Sequence, residues 1–132
     1  MAVLFTANSL RVVEEDGDAL IVAFGALDTN GEPITHVLLS RNLDPKEDWA
    51  GINGVYVQRD SDANSVWGGI SSFELHVDRV RIRSNPATAT AVFDGSDDVT
   101  IGLDVDPDEL DDAHEALERL FHNCNCYIPH TL

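Results

Sequence analysis

Six clusters of turn-forming residues punctuate the chain before residue 99, and they leave room for little besides short strands. They are EEDGD (14–18), DTNGEP (28–33), DPKEDW (44–49), RDSDANS (59–65), SNP (84–86) and DGSDD (94–98). Gly, Pro, Asn and Asp gather at reversals because they accept the backbone angles and local side-chain hydrogen bonds that turns need. The segments between them are rich in Val, Ile, Leu, Phe and Thr. That cadence predicts a meander of antiparallel strands.

Several segments alternate with period two. Leu20, Val22 and Phe24 share one face, and the apolar Ile21 between them suggests a strand buried on both sides. In Val80-Arg81-Ile82-Arg83 the aliphatics face one way and the arginines the other, so Arg79, Arg81 and Arg83 line one face. In so acidic a chain those arginines are best read as cross-strand partners of Asp and Glu. Val99, Ile101, Leu103 and Val105 alternate with Thr100, Gly102, Asp104 and Asp106, the pattern of a half-buried strand. Ala87 to Phe93 reads as its hairpin partner, with DGSDD as the turn. Inside VWGGISS (66–72), two glycines interrupt a strand-like run. Gly68 and Gly69 imply a bulge or a close backbone approach, with Trp67 packed over the bend as a structural, core-type residue.

One helix is marked. Asp106 suits its N-cap, Pro107 its first turn, and Glu109 a capping box. Leu110, Ala113, Leu117, Leu120 and Phe121 recur at helical spacing, with His114 at the border of that stripe. The expected architecture is α+β. It is a single domain over residues 1–132, with a core at about 3–121 and a C-terminal tail at 122–132. An antiparallel twisted sheet of about six to eight strands carries the C-terminal amphipathic helix on one face.

The chain has 132 residues, enough to remove roughly two-thirds of its unfolded surface from water. No apolar run approaches the ~20 residues that span a bilayer. The N-terminal stretch lacks a basic region and meets acid at Glu14, so a cytoplasmic protein is expected. Eight Lys and Arg stand against 24 Asp and Glu, a net charge of -16. Nucleic acid and anionic membrane are disfavoured as partners, because both require cations on the protein. The acid is concentrated between Asp94 and Glu118, where no Lys or Arg occurs. Within that run Asp97, Asp98, Asp108, Asp111, Asp112, Glu115 and Glu118 are the candidate contacts for a basic protein partner. The same acidity is equally compatible with salt adaptation.

No pattern indicates catalysis or a cofactor. His122, Cys124, Cys126 and His130 lie within nine residues, but Cys-x-Cys spacing does not suit a zinc site. A reduced, partly buried end of chain is the better account, and no metal is expected. Asp60, Asp62 and Asn64 begin like a calcium loop but lack its glycine and its final glutamate, so a polar hairpin turn is expected. Gly51 to Gly54 and Gly68-Gly69 match no phosphate-binding pattern. His36 and His76 are single histidines in strand-like segments, and no nucleophile motif stands near His114.

The order of these features resembles the immunity protein ten family of bacterial polymorphic toxin systems. The resemblance rests on Phe5-Thr6-Ala7, the strand Leu20–Phe24, a turn with Asp28 and Pro33, and the strand end Leu38-Leu39-Ser40-Arg41. It continues through a loop with Asp44 and Asp48, Gly54-Val55-Tyr56, Trp67-Gly68-Gly69-Ile70 and the C-terminal helix, from about Val3 to Phe121. It implies a non-catalytic α+β protein that binds and neutralises a cognate toxin domain. Charge adds an expectation of mode: an acidic face occluding the basic cleft of a nuclease-type toxin. Trp49, Tyr56 and Trp67 are candidate anchors for specificity, with core packing the reading favoured for Trp67. Homodimerisation stays open. The alternative is a small acidic ligand-binding or regulatory module with a pocket between sheet and helix.

Overall fold

The computed structural model describes residues 2–15, 19–42, 55–122 and 125–129. It contains ten strands and two helices. The strands are β1 (Ala2–Ala7), β2 (Ser9–Glu15), β3 (Ala19–Leu27), β4 (Pro33–Asn42), β5 (Tyr56–Arg59), β6 (Ser61–Trp67), β7 (Ile70–Leu75), β8 (Arg79–Ser84), β9 (Asp98–Leu103) and β10 (Tyr127–Pro129). The helices are α1 (Pro86–Val92) and α2 (Pro107–Leu120). The fold is α+β as expected, with more strands than the six to eight the turn spacing predicts.

The strands form two sheets of five, not one. β2 to β6 make a meander in chain order, and the other sheet runs β1-β9-β8-β7-β10. The meander is antiparallel throughout. In the second sheet β1 pairs parallel with β9, and β10 parallel with β7. Both pairings join segments far apart in the chain, so no local pattern signals them. β10 also places Tyr127–Pro129, within the stretch expected as a tail, in a sheet beside β7.

The core lies between the two sheets. Leu20, Val22, Phe24, Val37, Leu39 and Val57 face Phe73, Leu75, Val80, Ile82, Val99 and Ile101, and all are at most 1% exposed. Phe24 and Phe73 meet with ring centroids 6.1 Å apart, and Phe73 in turn meets Phe121 at 5.4 Å. Burial alternates along β3, so Leu20, Val22 and Phe24 are inside as expected. Ile21 is only half-buried, because no described element covers the outer face of the meander.

The chain crosses between sheets at two corners. Asn8 forms the first. Its side chain donates to the Leu27 carbonyl at 3.0 Å and accepts from the Leu27 amide at 2.8 Å, locking β2 to the end of β3. Gly68 and Gly69 form the second, between β6 of one sheet and β7 of the other. Both have positive φ, +77° and +88°. The Gly69 carbonyl accepts from the Asn85 amide at 2.8 Å, and the Thr88 hydroxyl donates to the Gly68 carbonyl at 3.1 Å. The close backbone approach read from the two glycines is therefore real, and its partner is the N-terminus of α1.

That helix corrects the sequence reading, which takes 87–93 as a strand. Asn85 caps it by accepting from the Thr88 amide at 2.8 Å, and Pro86 fills its first position. Asn-Pro is an N-cap signal as well as a turn signal. Thr-rich, β-like composition loses to a cap and to burial of Thr88, Ala89 and Val92. α2 lies where the apolar stripe places it. Asp106 is its N-cap residue but makes no side-chain cap bond, so the expected capping box does not form.

Candidate functional site

α2 packs on β2, β3 and β10 through Leu110, Ala113, Ala116, Leu117 and Leu120. That burial leaves Asp108, Asp111, Asp112, Glu115 and Glu118 exposed on the rest of its surface. Asp108 and Glu109 in the first turn favour the helix dipole, whereas Asp111 and Glu115 repel at i,i+4. Apolar packing offsets that repulsion. These five carboxylates form a concentrated negative surface whose field salt screens over about 8–10 Å at physiological ionic strength.

An open groove of about 710 Å³ runs between α2 and the edge strand β2, lined by Val12, Asp112, Glu115, Glu118, Arg119 and His122 among others. Arg119 Nη2 spans it to Glu14 Oε1 at 3.1 Å, tying the helix to the strand. Glu118 also meets His114 Nε2 at 2.7 Å, and His114 Nδ1 lies 2.8 Å from the Tyr127 hydroxyl. Burial, with Glu118 adding to it, pushes the Tyr127 phenol far above its ordinary value, so it stays a neutral hydrogen-bonding group. This chain ties α2 to β10. His114 thus sits at the border of the apolar stripe as expected.

Asp97 and Asp98 belong elsewhere. Asp98 opens β9 and Asp97 directly precedes it; the other end of β9 leads into α2, a strand's length of roughly 17 Å away. Asp97 is exposed. Asp98 is engaged by Arg81 through two bonds, 3.0 and 2.7 Å, with Arg83 at 3.8 Å. Arg81 and Arg83 therefore pair across strands with acid, as their alternation implies, whereas Arg79 meets its chain neighbour Asp78 at 2.9 Å. The Arg81 bonds hold the Asp98 carboxyl below the usual carboxylate range. At Asp60, desolvation pulls upward, but hydrogen bonds from Thr35 and the His36 amide outweigh it and the carboxyl is lowered. Asp60 has φ +66° at the β5–β6 reversal, the polar hairpin turn expected there.

A folded-state pKa below the unfolded one gives stability that is present above the unfolded pKa and lost as pH falls through the folded one. Asp98→Asn is therefore expected to destabilise at neutral pH. The difference from the parent should shrink below about pH 4. Thermal melts of both proteins from neutral to acid pH check this. A constant difference would mean the pair does not titrate with folding.

The remaining candidates are dispersed. Trp67 is not core: it is 52% exposed and packs at a tilt against Tyr56, with ring centroids 5.2 Å apart and planes 55° apart. Tyr56 is half-buried and donates its hydroxyl to Gln58 Oε1 at 2.8 Å. Trp49, Gly51, Gly54, Cys124 and His130 lie outside the described residues. Cys126 is buried and disulfide-bonded, not the reduced thiol expected. Among the described residues no three His, Cys, Asp or Glu side chains converge on a metal-sized site. No helix among them is long and apolar enough to cross a membrane.

A buried residue that sequence reasoning missed is Arg41, 1% exposed on the inner face of β4. Its Nη1 donates to the Leu120 carbonyl at 2.8 Å, capping the last turn of α2. A single Arg at the end of an apolar strand was the only available signal, and it reads as readily as a strand terminus.

Two packed sheets presenting a heavily acidic helix define, as a class, an α+β protein whose chemistry lies on its surface. The chain belongs to the Immunity protein 10 family, whose model matches residues 6–111. Membership makes it an immunity protein against polymorphic toxins, with a protein toxin as partner, and points to a non-enzymatic role. The match ends in the first half of α2, so Asp112, Glu115 and Glu118 lie beyond it. No curated protein and no solved structure matches the chain significantly.

Proposed function

We propose that this protein neutralises a toxin domain with a basic, nuclease-type cleft by laying the acidic face of α2 over that cleft. The observation that carries this reading is the set of exposed carboxylates Asp108, Asp111, Asp112, Glu115 and Glu118 on one helix. Among the described residues, Glu118 alone of the five contacts an ionisable neighbour, His114. An acidic helix occupies the place of a phosphate backbone: it supplies negative charge at intervals without a scissile bond. Long-range attraction then accelerates encounter, and short-range contacts fix the complex. Asp97 extends the acidic surface at a separate site, while Asp98 is reserved for Arg81 and Arg83. On this reading the protein acts in the cytoplasm of the cell it protects.

Reversing Asp108, Asp111, Asp112 and Glu115 to Lys together is expected to slow association with the co-produced toxin domain roughly tenfold to a hundredfold at low salt. The effect should fade as salt rises, with little change in melting temperature. Stopped-flow association rates across a salt series measure it. Unchanged rates at low salt would overturn the acidic-face mode and leave family membership untouched.

A further inference from the structure

We propose that the outer face of the β2–β6 meander is a self-association surface where two copies of this chain meet, each placing Trp67 in a hollow of the other. Strand register sorts the residues of that face. One row reads Val13, Ile21, Ser40, Tyr56 and Trp67; the next reads Arg11, Ala23, Leu38, Gln58 and Ser65; a third reads Ser9, Gly25 and His36. These rows hold no carboxylate, in a chain with 24 of them. Glu15 stands in the row beyond. Asp60, at the β5–β6 turn, is already engaged by Thr35 and His36.

Charge selects the occupant. Two copies of net charge -16 repel, and burying their carboxylates against each other leaves like charges desolvated. Self-association is least opposed where the facing rows carry no acid. A basic partner has no negative charge to find there, since the side chains of the three rows that carry or can gain charge, Arg11 and His36, are cationic.

Shape agrees. Ala23 and Gly25 floor a hollow of about 440 Å³, walled by Arg11, Leu27, His36 and Leu38. Trp67 stands out from the same face, 52% exposed and steadied by Tyr56. Three strand spacings and two residues separate knob from hollow, about 16 Å. A two-fold axis in the plane of the face, bisecting that separation, seats both knobs in both hollows at once, which is the isologous arrangement of a symmetric dimer. Five strands by three rows cover roughly 500 Å² per copy, or about 1,000 Å² in all, the lower limit for a specific interface. The dimer is therefore weak, with a Kd on the order of 10–100 μM. α2 packs on the opposite face of the same sheet, as the Arg41 and Glu14 contacts show, so both acidic helices stay open.

Sedimentation velocity of the full chain across about 1 μM to 1 mM tests this. Concentration-dependent dimerisation is expected. Trp67→Ser removes the knob and Ala23→Leu fills the hollow, so each variant alone should sediment as a monomer. Mixed, one intact knob meets one intact hollow, and a weaker heterodimer should reappear. Amide NMR shifts of the unaltered protein guard against misfolding of the variants: those of Ala23, Gly25 and Leu38 should move with concentration while those of α2 do not. A monomer at the highest concentration, or a dimer that survives both substitutions, overturns the proposal. So does a monomer whose toxin capture is abolished by Leu38→Asp, which would assign the face to the toxin. Failure of the α2 charge reversal leaves this result unaffected, because the two faces are opposite.

Discussion

Gly69→Ala is expected to destabilise the protein by about 3–4 kcal/mol, a large share of the stability of a domain this size. The added Cβ would fall inside the hydroxyl of Thr88 and 3.0 Å from the Asn85 side-chain amide. Thr88 is β-branched and 1% exposed, so it has little room to rotate away. Three losses combine. Positive φ costs an alanine about 1 kcal/mol. The Asn85 cap on α1 is worth about 1 kcal/mol, and the Thr88 bond to the Gly68 carbonyl about as much. Gly95→Ala is the matched control, because Gly95 has the same φ of +88° and open space around it. It should cost only about 1 kcal/mol. Urea unfolding of both variants separates steric conflict from backbone strain. Thr88→Ala in the Gly69→Ala background should recover part of the loss, a coupling expected only of residues in contact. Equal costs for the two glycine variants would show that the corner has room.

The second large effect is at Arg41. Arg41→Ala is expected to cost about 3–4 kcal/mol, since it removes a charged hydrogen bond, leaves the Leu120 carbonyl without that donor and opens space on the inner face of β4. Desolvating a guanidinium opposes this, so a volume-conserving change should cost less. Arg41→Met keeps the packing of the stem and is expected to lose about 1–2 kcal/mol. Hydrogen exchange gives a local readout: the last turn of α2 should exchange faster in both variants than in the parent. If Arg41→Met matches the parent in stability and exchange, the bond contributes nothing net.

These two sites mark where sequence reading succeeds and where it stops. Trp67-Gly68-Gly69-Ile70 announces a backbone constraint, because paired glycines in a strand-like run have few other uses. That the constraint is a corner between two sheets, with α1 pressed against it, is not in the string. Arg41 is one charged residue ending an apolar strand. Only β4 lying under the C-terminus of α2 makes it a cap. The α1 segment is ambiguous in sequence because its alanines favour a helix while Thr88, Thr90 and Val92 favour a strand. The outcome was set by Asn85-Pro86 and by burial. Of the candidate surface, the carboxylates of α2 were legible because helical periodicity sorts residues onto faces. The commitment of Asp98 to Arg81 was not, because cross-strand neighbours depend on register.

Local information therefore decided the strands between turns, the apolar stripe of α2, the acidity of its outer surface and the kinship with immunity proteins. All of these are encoded within a few residues of each other or in the order of such segments. Tertiary structure decided that the strands split into two sheets, that β1 and β10 join parallel to distant partners, and that Trp67 faces outward. It also left three described rows of the meander's outer face without acid. Those outcomes rest on contacts between residues tens of positions apart, where period-two alternation says that a strand has two faces but not which partner or sheet each face meets.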